Sequence, residues 1–183
     1  MRRLVVPLPI TLLITEPKWE TTMSVSADDF KKLMSRFATT VTVVTATGED
    51  GPIGLTVTAF MSVSADPAIA LVCVDKATAS LQPMLDADGF TVNVMPEGSD
   101  DEVMRFATHD ADKFTGSEWS EPATPAAGPV LRSALAHLEC ITVDRTEVGD
   151  HWVIYGEVMA SAVTDPAVAP LVWLDRRFVK VEA

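Results

Sequence analysis

Residues 51–67 read GPIGLTVTAFMSVSADP. Two strand-like runs, Leu55–Phe60 and Met61–Ala65, follow one another with no turn residue between them. Thr56, Thr58, Ala59, Ser62 and Ser64 stand where a buried strand would carry large aliphatic side chains. A strand lined with groups this short leaves room for something to lie against its backbone. Upstream, VTVVTAT (41–47) is rich in β-branched residues and runs into GEDGP, which predicts a strand and a hairpin turn. Downstream, Pro67 breaks the pattern, and AIALVCVD (68–75) is a continuous apolar run, as expected of a strand buried on both faces.

The same reading extends along the chain. Ser26 and Asp29 form an acidic variant of a capping box, and Phe30, Leu33, Met34 and Phe37 share one face, predicting a short helix that ends near Ala38. Thr78–Leu85 reads as a short helix and GFTVNVM (89–95) as a strand. Ser99 is expected to cap a helix over DDEVMRFAT. Residues 115–130 are rich in Pro, Gly and Ser and predict a loop too long to be idle in a compact domain. ALAHLECITVDRTEV and HWVIYGEVMASAV are long strands joined by Gly149-Asp150, and LVWLDRRFVKVE is a final strand. About six or seven strands, mostly hairpin-linked, with a few short helices, give a mainly β class, and such strands close most easily as an antiparallel barrel without exposed edges.

Composition narrows the function. The chain has 183 residues, 48% of them apolar, and a net charge of −12. That charge disfavours nucleic acid and anionic membranes as partners, but backbone N–H groups can still hold a phosphate locally. Cys73 and Cys140 lie in separate apolar runs and read as reduced core thiols of a cytoplasmic protein. No His or Cys spacing suggests a metal. Neither GxGxxG, nor GxxxxGK[ST], nor GxSxG occurs. MRRLVVPLPITLLIT looks at first like an export signal, but prolines interrupt it and no small-x-small site follows. Residues 1–22 are read as a disordered extension or a non-native start, and 23–183 as the domain.

Taken together, RFATTVTVVTA, the stretch from Gly51 to Ser80, GFTVNVM, RFA…DKF (105–114) and GDHWVIYGEV resemble the flavin reductase-like family, in this order and at this spacing. The resemblance spans about residues 28–180 and implies an FMN-binding split β-barrel. It further implies an NAD(P)H:flavin oxidoreductase that takes NADH or NADPH, uses FMN, FAD or riboflavin, and serves a flavin-dependent monooxygenase. Thr56, Val57, Thr58 and Ala59 would lie along the flavin ring, with Ser62 near the other end of the site. In the phosphate turn VCVDKATAS, Asp75, Lys76, Thr78 and Ser80 match the family pattern, while Ala77 and Ala79 replace a frequent Ser and Arg. Lys113 and Phe114 would lie near the flavin and His151 on the nicotinamide side. Trp173, Leu174, Arg177 and Phe178 stand where the family often has Tyr-His and a later Tyr. No side-chain base is required, since the reactivity belongs to the cofactors. Two chains are expected to share the site as a homodimer. The alternative is an FMN-binding carrier or electron-transfer module without turnover.

Overall fold

The computed structural model describes residues 25–109 and 112–181; the extension read over 1–22 lies outside them. Helix α1 (Ala27–Met34) is followed by β1 (Thr39–Thr40), the hairpin β2 (Thr42–Gly48) and β3 (Gly51–Val57), and the pair β4 (Phe60–Ala65) and β5 (Ala68–Asp75). Then come α2 (Leu81–Asp86), β6 (Gly89–Val94), α3 (Asp100–Phe106), and the short strands β7 (Trp119–Ser120) and β8 (Val130–Leu131). The long hairpin β9 (Ala136–Val148) and β10 (His151–Val163) precedes β11 (Val172–Leu174) and β12 (Arg177–Val179).

One seven-stranded antiparallel sheet has the order β3-β2-β6-β9-β10-β5-β4. Strands β3 and β4 are its opposite edges, yet only Thr58 and Ala59 join them. In a flat sheet, six spacings of about 4.8 Å would hold these edges about 29 Å apart. The three Cα steps from Val57 to Phe60 reach at most about 11 Å. The sheet therefore rolls up until its edges meet. They meet without a continuous ladder: β3 pairs only with β2 and β4 only with β5, and the Cys73 N–H donates to the Ala59 carbonyl at the join (2.9 Å). The barrel is split, as the resemblance implies, and its two edges are not joined by a ladder as a fully closed barrel would have them.

The barrel interior holds Val44, Leu55, Val72, Val74, Phe90, Cys140 and Ile154. A second core, with Val43, Met95, Phe106 and Leu131, lies on the opposite side of β2, beneath α3. Thus β2 and β6 are buried on both faces. Strand β5 alternates instead: Ala70, Val72 and Val74 are buried, while Leu71 and Cys73 are half-exposed. Its second face, with Leu71 and Cys73, borders a surface groove.

Other differences have local causes. Helix α1 is capped as expected, with the Asp29 N–H donating to Ser26 Oγ, but it ends at Met34 and Phe37 falls in the following turns. No residue of α1 is buried. Helix α2 begins only at Leu81. Ser99 precedes α3 without capping it, because its hydroxyl donates to the Pro96 carbonyl. The last expected strand folds back on itself as β11 and β12, turning through Asp175 and Arg176, both at positive φ. The loop over 115–130 contains β7 and reaches β8, which pair, and it is fastened across the barrel. Thr45 and Thr91 donate to the carbonyls of Pro129 and Gly128, and the Leu131 N–H donates to Asn93. Among the described residues no helix is long and apolar enough to cross a membrane.

Candidate functional site

The join between the barrel edges is also where the surface is hollow. A cavity of about 210 Å³ is lined by Thr56, Val57, Thr58, Ala59, Asp75, Thr78, Lys113 and His151 among others, bringing together eight of the residues singled out from sequence. Behind it a hollow of about 280 Å³ adds Ser80 and Phe114 and shares Thr78, His109 and Lys113. In front lies a groove of about 650 Å³, which shares Thr58, Ala59 and Cys73 with the first cavity. These hollows run along the seam as neighbours.

The floor at residues 58–59 is bare main chain. Both side chains are short and exposed, and both residues lie outside any strand. Among the described residues, nothing accepts a hydrogen bond from the N–H of Thr58 or Ala59, whereas the neighbouring Val57 carbonyl is taken by Thr42 Oγ1. Two adjacent free donors on an open, side-chain-poor surface suit a planar ligand with acceptors along one edge. Thr56 plays a different part: its hydroxyl donates to the Val103 carbonyl (2.5 Å) and ties β3 to α3.

The RFA…DKF segment forms a clamp behind this floor. Phe106 is fully buried and meets Phe114 edge to face, with ring centroids 5.1 Å apart. Arg105 donates to the Lys113 carbonyl and to Ser117 Oγ, fixing the return of the chain. Lys113 is buried, and its ammonium donates to the carbonyls of Gly54 and Phe106, each at 3.2 Å. Burial holds its pKa below the ordinary lysine value. Gly54 is required here because a Cβ would sit 2.4 Å from the Phe106 ring.

At the turn after β5, the Asp75 carboxylate accepts from the Ala77 N–H at 2.8 Å. The hydroxyls of Thr78 and Ser80 have no protein partner among the described residues and stand beside the rear hollow. Lys76 is turned the other way, pairing with Glu147 and donating to the Gly149 carbonyl (2.6 Å). Ser62 lies on exposed β4 opposite Ala70, outside the lining residues. His151 Nδ1 is 2.7 Å from the exposed Asp150 carboxylate, and this contact leads the causes that hold Asp150 below the usual carboxylate range.

Several lining residues had no signal in the sequence. His109 borders the two smaller hollows. Phe37 and Arg176 reach the large groove because β1 pairs with β11 across more than a hundred residues of chain, and Trp173, which stands where the family often has Tyr-His, comes with them. Cys73, read as a core thiol, is half-exposed in the groove wall, and burial raises its pKa. Cys140 is buried, and desolvation together with Glu139 pushes its thiol up to about 12.

Comparisons with known proteins place the chain in a family. A 42% identical relative, an actinorhodin polyketide dimerase of Streptomyces coelicolor, aligns over 79% of this chain and 81% of its own. A flavin reductase (NADH) of Kitasatospora aureofaciens is 35% identical over 85% of this chain and 82% of its own. Reductase subunits of flavin-dependent monooxygenases are among the other relatives. In three dimensions the chain is similar to an NADH:FAD oxidoreductase of Streptomyces globisporus, solved in complex with NAD and FAD fragments. That match has a TM-score of 0.79 and 32% identity, and covers 88% of this chain and 98% of the other. The family described as flavin reductase like domain matches residues 34–182, and the chain belongs to that family.

Proposed function

We propose that this protein is an NAD(P)H-dependent flavin reductase. The observation that carries the reading is the two-residue crossing at Thr58–Ala59, where two N–H groups without an acceptor among the described residues lie at the barrel seam between the polar central cavity and the apolar groove. A bound flavin, FMN, FAD or riboflavin, supplies the electron acceptor for hydride delivered by reduced nicotinamide. The chain's own residues place the rings and stabilise charge. The N–H groups of Thr58 and Ala59, fixed in advance by the barrel, would donate to a flavin acceptor and stabilise negative charge growing on the ring. Thr56 and Val57 hold this edge in place, and buried Lys113 adds positive potential from behind the strand. Thr78 and Ser80 offer hydroxyls to the phosphate, beside the turn organised by Asp75, with Phe114 as a wall of the same hollow. Lys76 joins them only on leaving Glu147. His151 borders the nicotinamide side.

Mixing the full chain with NADH or NADPH and FMN, FAD or riboflavin tests this. Flavin-dependent loss of nicotinamide absorbance is expected. Flavin bound without nicotinamide oxidation would instead make the chain a carrier, and no flavin binding would reject both readings.

The reduced flavin passes to a separate flavin-dependent monooxygenase, by analogy with the relatives that are reductase subunits. The setting is cytoplasmic. The functional unit is a homodimer, because apolar residues are exposed over a wide area: Leu33 on α1, Met61 on β4 and Val163 on β10 are each at least 60% exposed. An isologous interface would cover such faces. Sedimentation velocity should return a two-chain species; a flavin-loaded monomer would overturn the dimer.

A further inference from the structure

Arg176 occupies a backbone conformation that an L residue adopts only at a penalty. Asp175 and Arg176 form the β11–β12 turn with φ of 51° and 59°, where Asn-Gly would be the relaxed choice. The turn is held onto the end of α1 from two directions: the Asp175 N–H donates to the Ser35 carbonyl (2.7 Å), and the Asp175 carboxylate pairs with Arg36 at 3.3 Å. Asp175 is thereby accounted for. Arg176 is not: it makes no hydrogen bond or ion pair among the described residues, and it lines the 650 Å³ groove. A strained non-glycine residue beside a cavity is a reason to look for function in its side chain.

The charge of the groove points the same way. The chain carries 26 acidic side chains against 14 Lys and Arg. Yet this groove is lined by two cations, Lys31 and Arg176, and by no carboxylate. Lys31 makes no ion pair among the described residues; the acid that senses it is Asp150, whose first interaction is with His151. The other large hollows, at the β2–β3 turn and beside α3, are lined by several acids. Between the two cations the groove is mainly apolar, with Phe37, Leu71 and Trp173, and it opens onto the bare floor at Thr58 and Ala59.

We infer that Arg176, with Lys31, anchors the phosphates of the nicotinamide dinucleotide, so that its flat ring is delivered from the groove to the open face of a flavin held over residues 58–59. This rests on the function proposed above and names its specificity-determining cations. Guanidinium is suited to a diphosphate or a ribose phosphate because it presents a planar fork of donors. The volume lies within the usual range of ligand sites, about 300–1,000 Å³.

The test is Arg176→Gly in the full chain. Glycine relieves the positive φ, so folding is not at risk and Tm should hold or rise by about 1–3 °C. Dissociation constants for NADH and NADPH, titrated directly by calorimetry, should rise about three- to tenfold, a loss of about 0.7–1.4 kcal/mol. KM should follow with little change in kcat, and FMN affinity should be unaltered. Added salt should weaken the wild type more than the variant. A larger loss for NADPH assigns the contact to its ribose phosphate, and equal losses assign it to the diphosphate. Arg176→Lys, which keeps the charge and the positive φ but loses the planar fork, should recover only part of the affinity, whereas a purely structural turn residue would show no such dependence on charge. Unchanged affinity and KM in Arg176→Gly, in a chain that still binds and reduces flavin, would overturn this assignment alone. Absence of flavin binding in the wild type would instead count against the function proposed above.

Discussion

Thr58→Trp should abolish flavin binding and leave the fold standing. Thr58 is exposed, lies outside any strand and borders both the central cavity and the large groove. An indole there would occupy the space above the free N–H groups of residues 58 and 59. The Kd for FMN should rise at least about a hundredfold, or about 3 kcal/mol. Surface substitutions of this kind change stability by about 0.5 kcal/mol or less, which is a Tm shift of about 2 °C for a chain of this size. Flavin fluorescence quenching and a thermal melt on the same preparation read the two quantities separately. Retained affinity with an intact melt would move the ring off this strand.

Gly128→Ala should have the largest effect on stability. A Cβ at Gly128 would lie 2.3 Å from the Ala46 nitrogen and from the carbonyl carbon and oxygen of Thr45. All three are backbone atoms of β2, which is buried on both faces and cannot retreat. Forcing the loop away would also break the hydrogen bonds from Thr45 and Thr91 and leave buried hydroxyls unpaired. Overpacking and unpaired polar groups together should cost about 3–5 kcal/mol, a large part of a typical 5–15 kcal/mol. Tm should fall by about 10 °C or more. Gly149→Ala is the control: its φ is 57° but nothing lies within 4 Å of an added Cβ. That change should cost only about 1–2 kcal/mol of backbone strain. Similar melts for the two variants would refute the packing argument.

The parts of the fold legible in the sequence are those specified by neighbours in the chain. The β2–β3 and β9–β10 hairpins are announced by β-branched runs and by turn residues within a few positions of each other. Ser26 and Asp29 cap α1 through a contact three residues long. Where a side chain found a distant or unexpected partner, local pattern misled. Lys76 pairs with Glu147, 71 positions away, and so turns from the hollow its turn borders. The β11–β12 turn carries no glycine, so nothing in LVWLDRRFVKVE announced a reversal. Strand β5 reads as doubly buried because Leu71 and Cys73 are apolar, but their face belongs to the groove. The candidate site divides along the same line. The short residues at 56–59 were visible as a pattern and Trp173 through the resemblance, whereas Phe37 and Arg176 arrive only through the β1–β11 pairing.

The two-residue link between Val57 and Phe60 also sets which length changes this gene product can accept. Because it spans the mouth of the cleft, each residue inserted there would let the lips drift apart by up to about 3.5 Å, and a deletion would draw them shut. The tip at Glu49–Asp50, by contrast, has open space around Gly51 and could grow without consequence for the cleft. Aperture is thus encoded as chain length at one position, a dimension along which ligand size could be retuned without replacing a single wall residue.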